Sequence, residues 1–399
     1  MKRLFLAIVF AASVCSMLAN LNGNGYYRVR NYGSQRWAFI QDNKGSVDNV
    51  AGTADVHALG LIKNTEKIIT DPASVVYISA ENGSTYNMAA QGISLASLVG
   101  YGVNIRQAGT AENGQAFYYI YGTKSGVTKY IGDDKVNSSE VGLATTEPSD
   151  YPAYVKWKQW MILPIAEDSD NFFGVVPSVT AKGKSYSMLY ASFPFKPYSS
   201  GLKTYYIGRV MPGMVEMIEI NGDVPGGLPV IVQCAGDEAA DNKLSLLTSS
   251  ASAPATALTG VYYNYKSSYN TNQVVYDPET MRVLGTTSDG SLGFIKADNL
   301  ETIPANSAYL RVPAGSPAEY KCVDPDTFTA GVETVSQDGT VLSFSNGVVS
   351  CSKPGEILTF NMSGHVVAKG SGTSLNLSHL PKGVYIVKAV GNSLKVMVN

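Results

Sequence analysis

After residue 20, the apolar runs of this chain are short, and a glycine or a proline stands at nearly every boundary between them. A helix needs about 10–12 residues of unbroken 3.6-residue periodicity, whereas a strand needs only about four to eight. Strands are therefore what such a chain can build, joined by tight turns. The 39 glycines suit those turns and the 25 tyrosines suit the strands, so the chain is expected to be mostly β.

The first twenty residues differ. Lys2-Arg3 precede an apolar stretch, Leu4 to Val14, and Ala19 is a suitable cleavage position, with Ser16 as the alternative. This is the pattern of a secretory signal peptide over residues 1–19. The stretch is shorter than the roughly 20 residues needed to span a bilayer. Cys15 raises the alternative of lipidation, but Val14 before it is bulky for that processing. No later segment is apolar enough to cross a membrane as a helix. The net charge is −2 and 16% of residues are charged, which lacks the basic footprint of a nucleic-acid binder. Removing the signal leaves Cys234, Cys322 and Cys351. Three is odd, so a full disulfide framework is excluded; Cys234 and Cys322 are either a pair in an oxidising compartment or small buried hydrophobes.

Residues 20–167 form the first predicted domain. Tyr27 and Val29 alternate with Arg28 and Arg30, the pattern of a half-buried strand, and Trp37-Ala38-Phe39-Ile40 returns after a Gly33-Ser34 turn. Related phrases start near Val76 and Tyr118, and the block closes with Trp157-Lys158-Gln159-Trp160. Three strand-turn-strand units with a Gln-x-Trp-like ending resemble a ricin-type β-trefoil, with another small β-barrel as the alternative. Residues 55–67 and 91–101 read as helical inserts. The polar stretch 167–171 reads as a linker.

Residues 172–324 read as an all-β middle module. The box Ile303-Pro304-Ala305-Asn306-Ser307-Ala308-Tyr309-Leu310 resembles one common in secreted and surface proteins of Bacteroidota, to which no chemistry attaches. Proline fixes φ and Asn306 suits a turn, so a structural role is expected. Residues 324–331 read as a second linker.

Residues 331–399 contain several short strands around turns at Gly364, Pro381-Lys382-Gly383 and Gly391-Asn392. They predict an immunoglobulin-like β-sandwich. The phrases Leu375-x-Leu377, Leu380-Pro381-x-Gly383-Val384-Tyr385-Ile386-Val387 and Lys395-Val396-x-Val398, with Gly364, resemble the C-terminal sorting domain of type IX secretion cargo in Bacteroidota. That resemblance implies recognition by a secretion machinery and a secreted or outer-membrane-surface location.

The sequence carries no strong catalytic signal. Three histidines are scattered at His57, His365 and His379, without a nucleophile elbow, a zinc spacing, a P-loop or a dinucleotide fingerprint. No metal or cofactor is expected. Paired carboxylates, drawn from Asp133, Asp134, Glu216 and Glu219, leave a glycosidase as the least favoured reading. A trefoil would present aromatic and acidic groups to a glycan once per repeat. The candidates are Trp37 with Asp42 and Asn43, and Tyr130 with Asp133 and Asp134. The expected role is non-catalytic: binding of an extracellular glycan or a host or cell-surface protein. A structural or adhesive component without a small ligand is the alternative.

Overall fold

The computed structural model describes residues 21, 24–41, 58–63, 68–82, 85–91, 93–95, 97–98, 101–133, 142–144, 152–264, 273–330, 333–335 and 340–398. The predicted signal peptide lies outside them. The described residues are mostly strand, as the sequence predicts, with a single short α-helix among them. They divide into two compact units that meet between Asn171 and Phe172. The middle and C-terminal modules predicted separately share the second unit.

The first unit contains β1 (Gly25–Asn31), β2 (Trp37–Gln41), β3 (Ala58–Lys63), β4 (Val76–Asn82), β5 (Thr85–Ala90), β6 (Ile93–Leu95), β7 (Ser97–Leu98), β8 (Tyr101–Thr110), β9 (Ala116–Lys124), β10 (Val127–Gly132), β11 (Gly142–Ala144) and β12 (Gln159–Pro164). Where the two predicted helical inserts are described, they hold strands instead: β3 falls in the first, and β6 and β7 fall in the second. Short apolar triplets beside a closing sheet gain cross-strand hydrogen bonds that a helix of similar length could not match.

Six strands close a ring in the order β1–β4–β5–β8–β9–β12 and back to β1, antiparallel throughout. Closure leaves these strands no open edge. The remaining strands lie off the ring, as β2–β3, β6, β7 and β10–β11. The register repeats three times. Tyr27 faces Val76, Tyr86 faces Val103, and Tyr118 faces Trp160. Two residues further on, Val29 faces Ile162, Met88 faces Ile78, and Ile120 faces Ile105. All twelve are buried in one core.

The three structural units therefore begin at β1, β5 and β9. Val76, which the sequence suggested as a unit start, belongs to the strand that closes the first unit. Trp160 is fully buried and its indole N–H donates to the Ile131 carbonyl at 3.0 Å.

The second unit holds two larger sheets and a small one. A ten-stranded sheet runs from Val179–Ala181 at one edge to Leu258–Val261 at the other. Its pairs are antiparallel except where Met214–Ile220 runs parallel to Glu319–Val323. Two buried polar residues tie its loops. The Arg282 guanidinium donates to the carbonyls of Pro317, Pro278, Met281 and Ser316 at 2.8–3.1 Å. The Asn242 amide donates to Val175, Gly236 and Glu238 and accepts from Ala235 and Gly236. In the box at 303–310, Ile303, Ala308, Tyr309 and Leu310 are buried, and Asn306 takes φ 55°. Asparagine tolerates that left-handed conformation better than most residues, so the box is accounted for as a turn leading into a buried strand.

The second predicted linker is largely the helix Pro325–Ala330 (α1). Asp324 caps it, accepting from the Thr327 N–H at 2.9 Å, and Pro325 supplies a preset φ at the first helical position. Beyond α1, six strands surround a core that includes Leu342, Val349, Ile357, Leu377, Val387 and Val396. The long strand Val348–Phe360 breaks register between Ser350 and Gly355. Its first half pairs with Val341–Ser345 and its second with Gly383–Ala389, while Val366–Asn376 follows it through both.

Burial raises the pKa of Tyr27 and Tyr118, and the neighbouring phenols at matching ring positions add to the effect. Burial and then Tyr77 push Tyr26 up to about 12. These groups favour the neutral phenol in the folded state. Their contribution is whole below the unfolded value of about 10 and is lost as pH rises through the higher folded values. Absorbance titration at 295 nm should show a subset of tyrosines ionising above the ordinary value of about 10, together with loss of the β-sheet circular-dichroism signal. Uniform ionisation near pH 10 with the fold intact would contradict the packing described.

Candidate functional site

Trp37 and Tyr130 occupy different surroundings. Trp37 on β2 is half-buried and lies opposite Arg30 of β1, whose guanidinium carbon is 4.9 Å from the indole centroid. Arg30 is held there by donating its Nε–H to the Gln35 carbonyl at 2.8 Å. Asp42, Asn43 and Asp134 lie outside the described residues, as does His57.

Tyr130 and Asp133 do not form an outward-facing pair. Tyr130 is 3% exposed and Asp133 2%. Asp133 accepts from Arg36 through Nε at 2.9 Å and also through Nη2, and it accepts from the Ser34 hydroxyl. Its backbone N–H donates to the Trp157 carbonyl at 2.9 Å, and that carbonyl also accepts from the Asn31 side chain at 2.8 Å. A buried carboxylate must be compensated, and this one is, by a loop packed beneath it. The reason for that loop's sequence is direct: a Cβ on Gly33 would lie 2.3 Å from a carbon of the Trp157 ring. Asp133 anchors the fold.

The side chains around Tyr130 come from the seam between the second and third structural units, where Tyr119 is itself buried and Arg106 and Tyr121 reach the surface. Tyr119 and Tyr121 alternate on β9 with the core residues Tyr118 and Ile120, so they point away from the barrel interior. Tyr130 packs edge-on to Tyr119 at 5.7 Å and tilted to Tyr121 at 5.5 Å. Arg106 of β8 is directly opposite Tyr119. Its guanidinium carbon sits 4.9 Å from the Tyr119 ring and 5.7 Å from the Tyr121 ring, and Nη2 lies 3.4 Å from the Tyr130 hydroxyl. Arg106 is exposed and Tyr121 half-exposed, so the cluster presents a cation on an aromatic bed. Sequence reading missed Arg106 because its relation to the tyrosines depends on cross-strand register. The alternation of Tyr119 and Tyr121 with apolar core residues was the available clue.

Glu216 and Glu219, the other carboxylates named for hydrolysis, lie in the second unit. Glu216 and Glu219 are three apart on one strand and point to opposite faces. Glu216 is buried and takes two hydrogen bonds from Arg209, at 2.6 and 2.7 Å, which lower its pKa. Glu219 pairs with Lys203 at 3.0 Å. Among the described residues, no group of three or more potential metal ligands occurs.

Cys234 and Cys322 are free thiols, which corrects the candidate disulfide. Cys234 follows strand Val230–Gln233 and Cys322 lies in Glu319–Val323; in the sheet order, Lys203–Met211 and Met214–Ile220 stand between those strands. Burial pushes the thiols up to about 11 and about 12 respectively, which disfavours the reactive thiolate.

The residues of the C-terminal motif are largely accounted for by packing. Leu377 and Tyr385 are in the core, and Leu375 and Leu380 pack against it. The Tyr385 hydroxyl donates to the Pro381 carbonyl at 2.7 Å, closing the turn before Gly383. Gly364 takes φ 79° in the hairpin turn after Asn361. Lys395 is exposed.

The chain matches no protein-family model, no curated protein and no solved structure. No described helix is long and apolar enough to cross a membrane.

Replacing Asp133 with Ala should destabilise the first unit by about 3–5 kcal/mol, because Arg36 is then left without its buried partner. Arg106→Ala should cost no more than about 1 kcal/mol at this exposed position. Urea unfolding monitored by tryptophan fluorescence measures both. Similar losses for the two variants would contradict the division into an anchor and a surface group.

Proposed function

We propose that this is a secreted or surface-exposed, non-catalytic protein of a Bacteroidota-like export route. In this reading its first unit is a β-trefoil that binds an extracellular glycan, and its C-terminal sheet serves export or surface attachment. The threefold register of the six ring strands carries the trefoil reading, and each unit's first strand also holds one off-ring strand: β2 on β1, β6 on β5 and β10 on β9.

Glycan binding rests on the Arg106–Tyr119–Tyr121–Tyr130 cluster. Aromatic faces receive the C–H faces of a pyranose, and the guanidinium supplies hydrogen-bond donors or meets a sugar carboxylate. Trp37 beside Arg30 is a second, smaller platform of the same kind. The export reading rests on the sequence resemblance at Leu375 to Lys395 and on the signal-like residues 1–19. A structural surface component without a small ligand is the second reading, favoured by the burial of Tyr130.

The full chain should bind specific members of a glycan array. Arg106→Ala should weaken that binding at least tenfold while leaving circular dichroism unchanged, with a smaller effect for Trp37→Ala. Binding unaffected by both substitutions would remove these sites, and absence of binding to any glycan would favour the structural reading. In a host with the type IX machinery, deleting residues 331–399 should retain the chain in the periplasm; surface display of the truncated chain would overturn the export role.

A further inference from the structure

A cavity of about 420 Å³ opens between α1 and the C-terminal sheet, a volume within the range of small-ligand sites, roughly 300–1,000 Å³. Half-buried Met397, with the edges of the core residues Phe344 and Val398, gives it an apolar side. The polar side is unequal in chemistry. Asp326, Thr327, Asn346 and Ser378 stand exposed at its mouth, where the Asp326 carboxylate accepts only. The Thr327 hydroxyl already donates to Asp324 at 2.7 Å, so toward the cavity it accepts. Asn346 and Ser378 can do both. No lysine, arginine or histidine lines the space. Acceptors therefore exceed donors, and the only formal charge on the wall is negative.

The wall opposite α1 is preformed. Asn346 and Gly347 turn Val341–Ser345 into Val348–Phe360 with φ of 50° and 77°, the two positive values of a tight hairpin turn. The Leu377 N–H donates to the Gly347 carbonyl at 2.7 Å, and Ser378 is packed so closely that a Cβ on Gly347 would lie 2.2 Å from its hydroxyl. The α1 wall is fixed from behind. Phe328 is buried, and the Arg209 guanidinium carbon sits 4.8 Å from its ring while Arg209 holds Glu216. The acidic residue has a bland role as well, since Asp326 in the first turn suits the helix dipole. That role does not call for a cavity beside it.

We infer that this cavity binds an alkyl ammonium group, with the charged head at Asp326 and the aliphatic body against Phe344, Met397 and Val398. A lysine side chain of a partner peptide and a free diamine share that chemistry. A ligand seated there would touch α1 and the C-terminal sheet together and so fix one to the other.

The full chain, labelled with ¹³C-methyl methionine, can be titrated with 1,5-diaminopentane, with Nα-acetyl-lysine N-methylamide, and with 1-pentanol as the uncharged control. Met397→Leu identifies the Met397 signal. The expected result is a saturable shift of that signal with at least one amine, none with pentanol over the same range, and at least tenfold weaker binding in Asp326→Asn. The unshifted position of the Met397 signal in Asp326→Asn shows that the cavity survives the substitution. Response to the lysine derivative alone identifies a protein side chain as the ligand, whereas response to the diamine assigns a free amine. No shift with either amine, an equal shift with pentanol, or undiminished binding in Asp326→Asn would overturn the inference.

Discussion

Every backbone N–H and C=O of a strand needs a partner, and the first unit meets that requirement by returning β12 to β1. Ring closure fixes the register, because a slip of one residue would turn every core side chain outward. The register in turn stacks Tyr27, Tyr86 and Tyr118 in one layer and Val29, Met88 and Ile120 in the next. The off-ring strands are free to differ in length once that closure is made, and they do: β2–β3 is separated from β4 by more chain than β6–β7 is from β8. The second unit solves the same problem differently. It keeps open sheets and ties their loops with buried Arg282 and Asn242, each bonding several backbone carbonyl or amide groups.

The all-β class was legible because glycine and proline punctuate the chain too often for helices. The third structural unit was legible from Tyr118 onward, where the alternation is regular and the Ser125-Gly126 turn has φ of 50° and 77°. The second was misplaced at Val76. Its true first strand, Thr85–Ala90, contains Asn87 and two alanines and lacks the β-branched signature, whereas β4 begins with Val76-Tyr77-Ile78. Pairing partners decide which strand opens a unit, and partners are not written in local composition. The same limit hid α1, whose Asp324-Pro325 start reads equally as a linker until Phe328 is seen to bury.

For individual groups the limit is sharper. Asp133 was recognisable as chemically notable, but its meaning lies in Arg36, 97 residues earlier. The C-terminal motif was recognisable as a pattern, and most of its residues turn out to be what a small β core requires. Leu377 and Tyr385 would be demanded by packing whatever the domain does, so among the motif residues it is exposed Lys395 that packing leaves unexplained.

The threefold register also separates what folding requires from what it does not. The outward position occupied by the Arg106–Tyr119 pair on the β8–β9 seam has two structural equivalents. On the β4–β5 seam it is Ser79 opposite Asn87, and on the β12–β1 seam it is Leu163 opposite Arg28. All three seams close with the same backbone pairing, so the ring does not need an arginine and a tyrosine there. The apolar layers beneath are alike in kind across the three units, with Ile105, Ile78 and Ile162 at equivalent sites, while the pairs beside them differ: Arg28 is fully buried and Arg106 is exposed. A position that the fold leaves free, yet that carries a cation held over two rings with a third ring beneath, is where binding chemistry can be added without disturbing the core. That contrast is the physical ground for centring the glycan-binding reading on exposed Arg106, with the tyrosines as its bed, and not on a Tyr130–Asp133 pair.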